Sequence, residues 1–297
     1  MNLKGRTAVV TGAAGGIGRG IAEALARRGC HLALADVDDA GLAKTAAAIA
    51  SKADPNDKIR ISRHHLDVAD RAAVAALPAQ VTAEHGGVDV LVNNAGVAVG
   101  GTFLEVAESD FDWLFGINFW GVVQMTRAFL PLLQNSEEAR IVNISSLFGL
   151  VAPPGQTAYS ASKFAVRGFS EALRHELDGS PVGVTVVHPG GVATSIVNSA
   201  RLPRSLSAEE AAKRRKAFNA VLAMPPEMAG EIIIRGAEKR KPRIVVGRDA
   251  KFVALVERLM PVNYWNWLRP RTRPANQEPA SPEPASPEQA SAKREGQ

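Results

Sequence analysis

Tyr159 and Lys163 stand four positions apart in the run Gln156-Thr157-Ala158-Tyr159-Ser160-Ala161-Ser162-Lys163. On a helix that spacing puts both side chains on one face, one turn from each other. A phenol beside an ammonium is a proton-transfer pair. Free tyrosine releases its proton near pH ~10. A neighbouring cation favours the phenolate and brings that value toward working pH. Such a pair also occurs on solvated helices that do no chemistry, so its meaning depends on what the chain places around it.

A second group of residues could hold a phosphorylated ligand. Thr11-Gly12-Ala13-Ala14-Gly15-Gly16-Ile17-Gly18 joins a short apolar run to a helical pattern carrying Ile21, Ala22, Leu25 and Ala26. Glycines there let the backbone turn sharply and let a diphosphate reach a helix N-terminus, where free N–H groups and the dipole favour anions. Turns collect glycine for other reasons too. Context adds weight, because Asp36 closes the next apolar run. A carboxylate there accepts bonds from adenosine ribose hydroxyls and repels a 2′-phosphate. The next residue is Val37, with no cation to hold such a phosphate. The expected cofactor is therefore NAD in preference to NADP. A loop carboxylate or helix cap is the alternative reading of Asp36.

These residues need a scaffold, and the hydropathy pattern supplies one. Short apolar runs at 7–11, 31–35, 59–66, 88–92, 140–145, 183–188 and 243–246 read as strands. Helical periodicity fills 17–28, 38–51, 72–85, 109–133, 157–177 and 227–238. Strands that alternate with helices and are apolar on both faces mean a mostly parallel sheet covered on each side. The expectation is one doubly wound α/β domain over residues 1–270, with a seven-stranded sheet. Residues 193–223 are less regular. Residues 271–297, rich in Pro, Glu, Ser and Ala, read as a disordered tail.

Composition excludes several classes. The 297 residues are 46% hydrophobic, enough for a sizeable core, and the net charge of +5 is scattered. Nucleic acid is not an expected partner. The single cysteine, Cys30, allows no internal disulfide, in keeping with a cytoplasmic protein. The N-terminal run shows no secretory leader, and no uncharged run is long enough to span a bilayer. Six scattered histidines offer no metal-ligand spacing, so no metal is expected. Residues 251–268 are apolar and aromatic. Packing onto the chain's own domain is the favoured reading there, ahead of a dimer contact or a peripheral membrane patch.

Taken together, Thr11-Gly12-x3-Gly16-x-Gly18, Asn93-Asn94-Ala95-Gly96, Tyr159-x3-Lys163 and Pro189-Gly190-x-Val192-x-Thr194 resemble the short-chain dehydrogenase/reductase family, over roughly residues 5–250. The resemblance implies a Rossmann fold and hydride exchange between a nicotinamide cofactor and an alcohol or ketone. It implies that Tyr159 is the general acid/base, that Lys163 lowers its pKa and binds the nicotinamide ribose, and that Asn118 holds a water linked to Lys163. It assigns Ser146 to the substrate oxygen, with Ser145 as the competing choice, since adjacent strand residues face opposite ways. Thr11, Gly12, Gly15, Gly16, Ile17 and Gly18 match the diphosphate turn, and Asp67 with Val68 the adenine position. Asn93 and Gly96 match the segment that steadies the sheet beside the cofactor, with Ala95 between them. Pro189, Gly190, Val192 and Thr194 match the segment that bonds the nicotinamide amide.

The resemblance places a substrate-covering segment at 193–223. Its Ile196, Val197, Leu202, Leu206, Phe218, Val221 and Leu222, with Phe148 and Gln156 across the site, suit a hydrophobic alcohol or carbonyl compound. Family members are often homodimers or homotetramers. A silent nucleotide-binding or scaffold protein of the same fold is the rival reading, because fold alone does not give function.

Overall fold

The computed structural model describes residues 1–52 and 58–272, with the side chains of 270–272 left aside. The expected tail falls almost wholly outside the described residues. Seven strands form one sheet: β1 (Thr7–Thr11), β2 (His31–Asp36), β3 (Ile61–His65), β4 (Val90–Asn93), β5 (Ala139–Ile144), β6 (Val182–Pro189) and β7 (Arg243–Val246). Their order is β3-β2-β1-β4-β5-β6-β7. Every pairing is parallel. The strand order reverses between β1 and β4, and a crevice opens at such a switch point beyond the carboxyl ends of the strands.

The sheet is buried because its residues are apolar on both faces, as in β1 and β5. One face carries α1 (Gly16–Ala26) and α8 (Pro226–Glu238). Ile21, Leu25, Ile233 and Ile234 pack there on Val10, Val92 and Val187. These helices cross at glycines: a Cβ on Gly230 would collide with the backbone of Gly20. The other face carries α3 (Arg71–His85) and α5 (Val122–Gln134), whose Leu77, Val81, Met125 and Phe129 meet Val9, Leu91 and Ile141. The α2 helix (Asp39–Ala50) is capped by Asp38, whose carboxylate accepts from Gly41 N at 2.9 Å.

Three local expectations are corrected. The single helix at 109–133 is instead α4 (Glu108–Phe115), a π-helical turn (Gly116–Gly121) and α5. The amide of Asn118 bonds the backbone of Val97, and Gly121 lets Val68 pack close; a side chain there would strike it. The irregular span at 193–223 contains α7 (Ala208–Asn219), started by a capping box in which Ser207 and Glu210 exchange hydrogen bonds. The apolar stretch at 251–268 is two helices, α9 (Arg248–Leu259) and α10 (Tyr264–Thr272). Val256 and Leu268 are buried as expected for self-packing, but Leu255 and Leu259 are exposed. The remaining long helix, α6 (Thr157–Glu176), lies against β6 and carries the Tyr-Lys pair.

Candidate active site

The carboxyl ends of β1, β2, β4, β5 and β6 bring most of the expected residues to one edge of the sheet. The turn after β1 is shaped by Gly12 (φ +66°) and Gly16 (φ +53°), both in the left-handed region that glycine enters without strain. A Cβ on Gly18 would collide with the Gly12 carbonyl oxygen. Gly15 begins α1, and no side chain caps that helix. Its first N–H groups and the positive end of its dipole are left to an anion. Ile17 packs beneath the turn against the core. At the end of β2, Asp36 accepts from Ala14 N at 2.9 Å and Asp38 N at 3.1 Å, so the carboxylate is fixed beside the glycine turn. Its neighbour Val37 is 58% exposed. A dinucleotide's diphosphate and adenosine ribose fit this donor and acceptor set.

Thr11, expected at the diphosphate turn, and Asn93, expected in the segment that steadies the sheet, both bond inward. Thr11 is buried, and its hydroxyl donates to Val92 O at 3.2 Å while accepting from the N–H groups of Asn94 and Ala95. It ties β1 to the turn after β4. Asn93 is also buried, donating to Thr126 Oγ1 and Asn143 Oδ1 within the core. Both side chains position the crevice and do not line it. The reason is alternation: at the last residue of a strand the side chain can turn inward. Sequence reasoning assigned no role to Asn94, whose Nδ2 donates to Thr11 O and Gly12 O and clamps the glycine turn. Two amides in succession at a strand end were the available signal.

The other cofactor candidates lie along the same edge. Asp67 is exposed and accepts from Ala69 N at 2.9 Å, while Val68 is buried against the π turn. Val192 bridges to Met224, and Gly191 N donates to Asp249 Oδ2 at 2.8 Å. The Pro189-Gly190 turn is thus held by α9, from outside the expected motif. Thr194 packs close to Gly16, where a Cβ would sit 3.1 Å from its methyl group, and both line a cleft of about 470 Å³ with Ser195, Asn198, Asn219 and Leu222.

At the end of β5 the two serines separate as alternation requires. Ser145 is buried and its hydroxyl donates to Lys163 O at 2.8 Å. Ser146 accepts from Phe148 N at 3.1 Å, and its hydroxyl is near enough to Tyr159 to lower the phenol. Only Ser146 shares the site with Tyr159. Its carbonyl takes a 2.9 Å hydrogen bond from Nδ1 of the buried His188. A carbonyl only accepts, so Nδ1 carries the proton. Burial holds this imidazole down to about 4, hence neutral. Sequence reasoning left His188 as an isolated histidine.

Asn118 is fully buried on the π turn. Its side chain accepts from Val97 N at 2.8 Å and donates to Val97 O and Ser162 Oγ. A Cβ on Gly96 would sit 3.1 Å from Asn118 Oδ1 and 3.4 Å from Lys163 Nζ, so these three residues meet at one point.

The electrostatics differ from the simple pair. Burial pushes the Tyr159 phenol above its ordinary value, and the nearby Ser146 hydroxyl lowers it only in part. Lys163 Nζ donates to Ile144 O at 3.2 Å and lies 5.7 Å from the centre of the Tyr159 ring. It points at a backbone carbonyl, and burial is the larger influence on the phenol. Lys163 is itself drawn down to about 8 by burial. Phe148 stands edge-on between Tyr159 and Phe218 of α7, with ring centres 6.2 and 6.5 Å away. Gln156 stands at the residue before α6, with no capping bond from its side chain, and its backbone bridges to Gly101.

A parallel sheet with a glycine turn, an acidic β2 end and a Ser-Tyr-Lys cluster is the arrangement of a nucleotide-dependent oxidoreductase. Residues 6–204 match the short chain dehydrogenase family, and the chain belongs to it. It is 43% identical over 269 residues to SadH of Mycobacterium tuberculosis, named an oxidoreductase, covering 89% of this chain and 94% of that protein. The fold matches a short chain dehydrogenase/reductase from Burkholderia phymatum in complex with NAD, with a TM-score of 0.80, 27% identity and coverage of 94% and 99%. It also matches an alcohol dehydrogenase from Thermococcus sibiricus complexed with 5-hydroxy-NADP, with a TM-score of 0.67, 26% identity and coverage of 82% and 94%. The protein is therefore an oxidoreductase of the short-chain dehydrogenase/reductase family. No helix among the described residues is long and apolar enough to cross a membrane.

Proposed function

We propose that this chain interconverts a hydrophobic secondary alcohol and its ketone, using NAD(H). The observation that carries the reading is the juxtaposition of Ser146 beyond β5 with Tyr159 of α6, with Lys163 and Asn118 behind them. The cofactor, when bound, supplies the hydride acceptor or donor. The residues named above that would hold it are the Gly12–Gly18 turn, Asp36 and the Gly190–Thr194 segment.

Tyr159 Oη moves the proton on the substrate oxygen. In the free protein the phenol is protonated, which suits giving a proton to a carbonyl oxygen. In the opposite direction the phenol must first ionise, and it then takes the hydroxyl proton. Ser146 Oγ–H donates to the substrate oxygen as charge develops there. Lys163 at about 8 is mostly charged at neutral pH and places a cation behind the phenol. Asn118 holds the π turn against Val97 and so fixes the floor under Lys163. Phe148 and Phe218 supply apolar walls that favour a hydrophobic substrate over a sugar or acid.

NAD is favoured over NADP because Asp36 would repel a 2′-phosphate and the exposed Val37 offers it no cation. The NAD complex of the Burkholderia relative supports this choice. A homodimer or homotetramer is proposed on the exposed Trp120 and Phe164. A cytoplasmic location accords with the free, buried Cys30. The test is a panel of hydrophobic alcohols and ketones against both cofactors, read by nicotinamide absorbance. Turnover with NAD(H) on secondary alcohols is expected. Silence across the panel, with cofactor still bound, would favour the scaffold reading.

A further inference from the structure

We infer that α9 and the segment after it form a docking surface for an anionic lipid bilayer. Leu255, Leu259 and Val262 are 54%, 70% and 85% exposed. On α9, Phe252, Leu255 and Leu259 fall within about 60° of one another around the helix axis, a continuous apolar stripe. Phe252 meets the ring of Trp267 from α10, with centres 6.2 Å apart. Ala250, opposite the stripe, and Val256, beside Phe252, are buried and hold α9 to the body. Leu255 and Leu259 stay exposed outside that contact.

The charges give the surface its partner. Lys251 and Arg258 are seven residues apart and share one azimuth at the edge of the stripe. Arg248 projects from the same side, and all three are exposed. The carboxylates of α9 are elsewhere: Asp249 accepts from Gly191 N, and Glu257 lies on the far side of the helix. An apolar stripe with cations along its edge fits an interfacial helix, whose apolar side enters the headgroup boundary while the cations meet anionic lipid. A second copy fits less well, because a symmetric contact brings the same cations toward each other. The surface is linked to the catalytic region: Tyr264 Oη accepts from Ala152 N at 3.1 Å, joining α10 to the loop before α6.

The test is flotation of the full chain with vesicles of phosphatidylcholine alone and of phosphatidylcholine with phosphatidylglycerol. Binding to the anionic vesicles only is expected. It should fall at least about tenfold when salt rises from about 0.05 M to about 0.5 M. The same loss is expected in Leu255→Glu/Leu259→Glu and in Lys251→Glu/Arg258→Glu. Both pairs are exposed, so thermal midpoints should match the parent. No binding to anionic vesicles, or binding that neither pair changes, overturns the inference. So does a parent that fails to float and is converted from oligomer to monomer by Leu255→Glu/Leu259→Glu, which would make the face a contact between copies.

Discussion

Lys163→Met should make the protein more stable and inactive at once. Burial lowers Lys163 from 10.5 to about 8, and no carboxylate offsets it. At about 1.4 kcal/mol per pKa unit, the charged side chain costs the fold about 3 kcal/mol at neutral pH. Methionine fills a similar volume without charge. It loses the bond to Ile144 O, which costs back about 1 kcal/mol. The expected gain is about 2 kcal/mol near pH 7. The folded pKa lies below the unfolded one, so the unfolded chain holds more protons between about pH 8 and pH 10.5. The parent's stability from this group therefore rises with pH across that window, and the variant has no such rise. The gap between them should be widest near pH 7 and shrink by about pH 9.5. Cys30 and Tyr159 titrate in both proteins and cancel in the difference. Urea unfolding of the two proteins at several pH values measures it. A gap that does not change with pH, or a methionine variant less stable at pH 7, would refute the reasoning.

Other expectations follow from the same geometry. Ser146→Ala should lower kcat by about 10²–10³ with little change in stability, because it removes the donor to the substrate oxygen. Ser145→Ala should do the reverse, losing about 1–2 kcal/mol with the buried bond to Lys163 O while keeping turnover. Asp36→Ala with Val37→Arg should shift preference toward NADP, seen in kcat/KM for the two cofactors; an unchanged preference counts against the cofactor assignment. His188→Leu should cut kcat by removing the donor to Ser146 O, and His188→Asn, which keeps an N–H donor, should recover part of it. Reduction should slow and oxidation speed up as pH rises toward the raised Tyr159 value.

The sheet was legible because the central strands are apolar on both faces and strands alternate with helical repeats, leaving few other topologies. Gly12, Gly16 and Gly18 were legible because their turn must avoid side chains. What escaped is whatever depends on where a polar side chain points. Thr11 and Asn93 share the strand ends with the cofactor crevice, yet their side chains hydrogen-bond inward. The π turn at Gly116–Gly121 reads as ordinary helix, since its cause is the backbone of Val97. Lys163 is four residues from Tyr159 in any helix, but its aim at Ile144 O depends on β5 lying beneath. His188 and Asp249 act through main-chain groups far away in sequence, Ser146 O and Gly191 N, and spacing carries no trace of that.

The proton-transfer role of residue 159 is most directly tested by comparing the parent with Tyr159→Phe, measuring turnover of a secondary alcohol and NADH binding side by side. The account predicts that turnover falls to background while NADH binds within a few-fold of the parent. A phenylalanine variant that still turns over at the parental rate would contradict it.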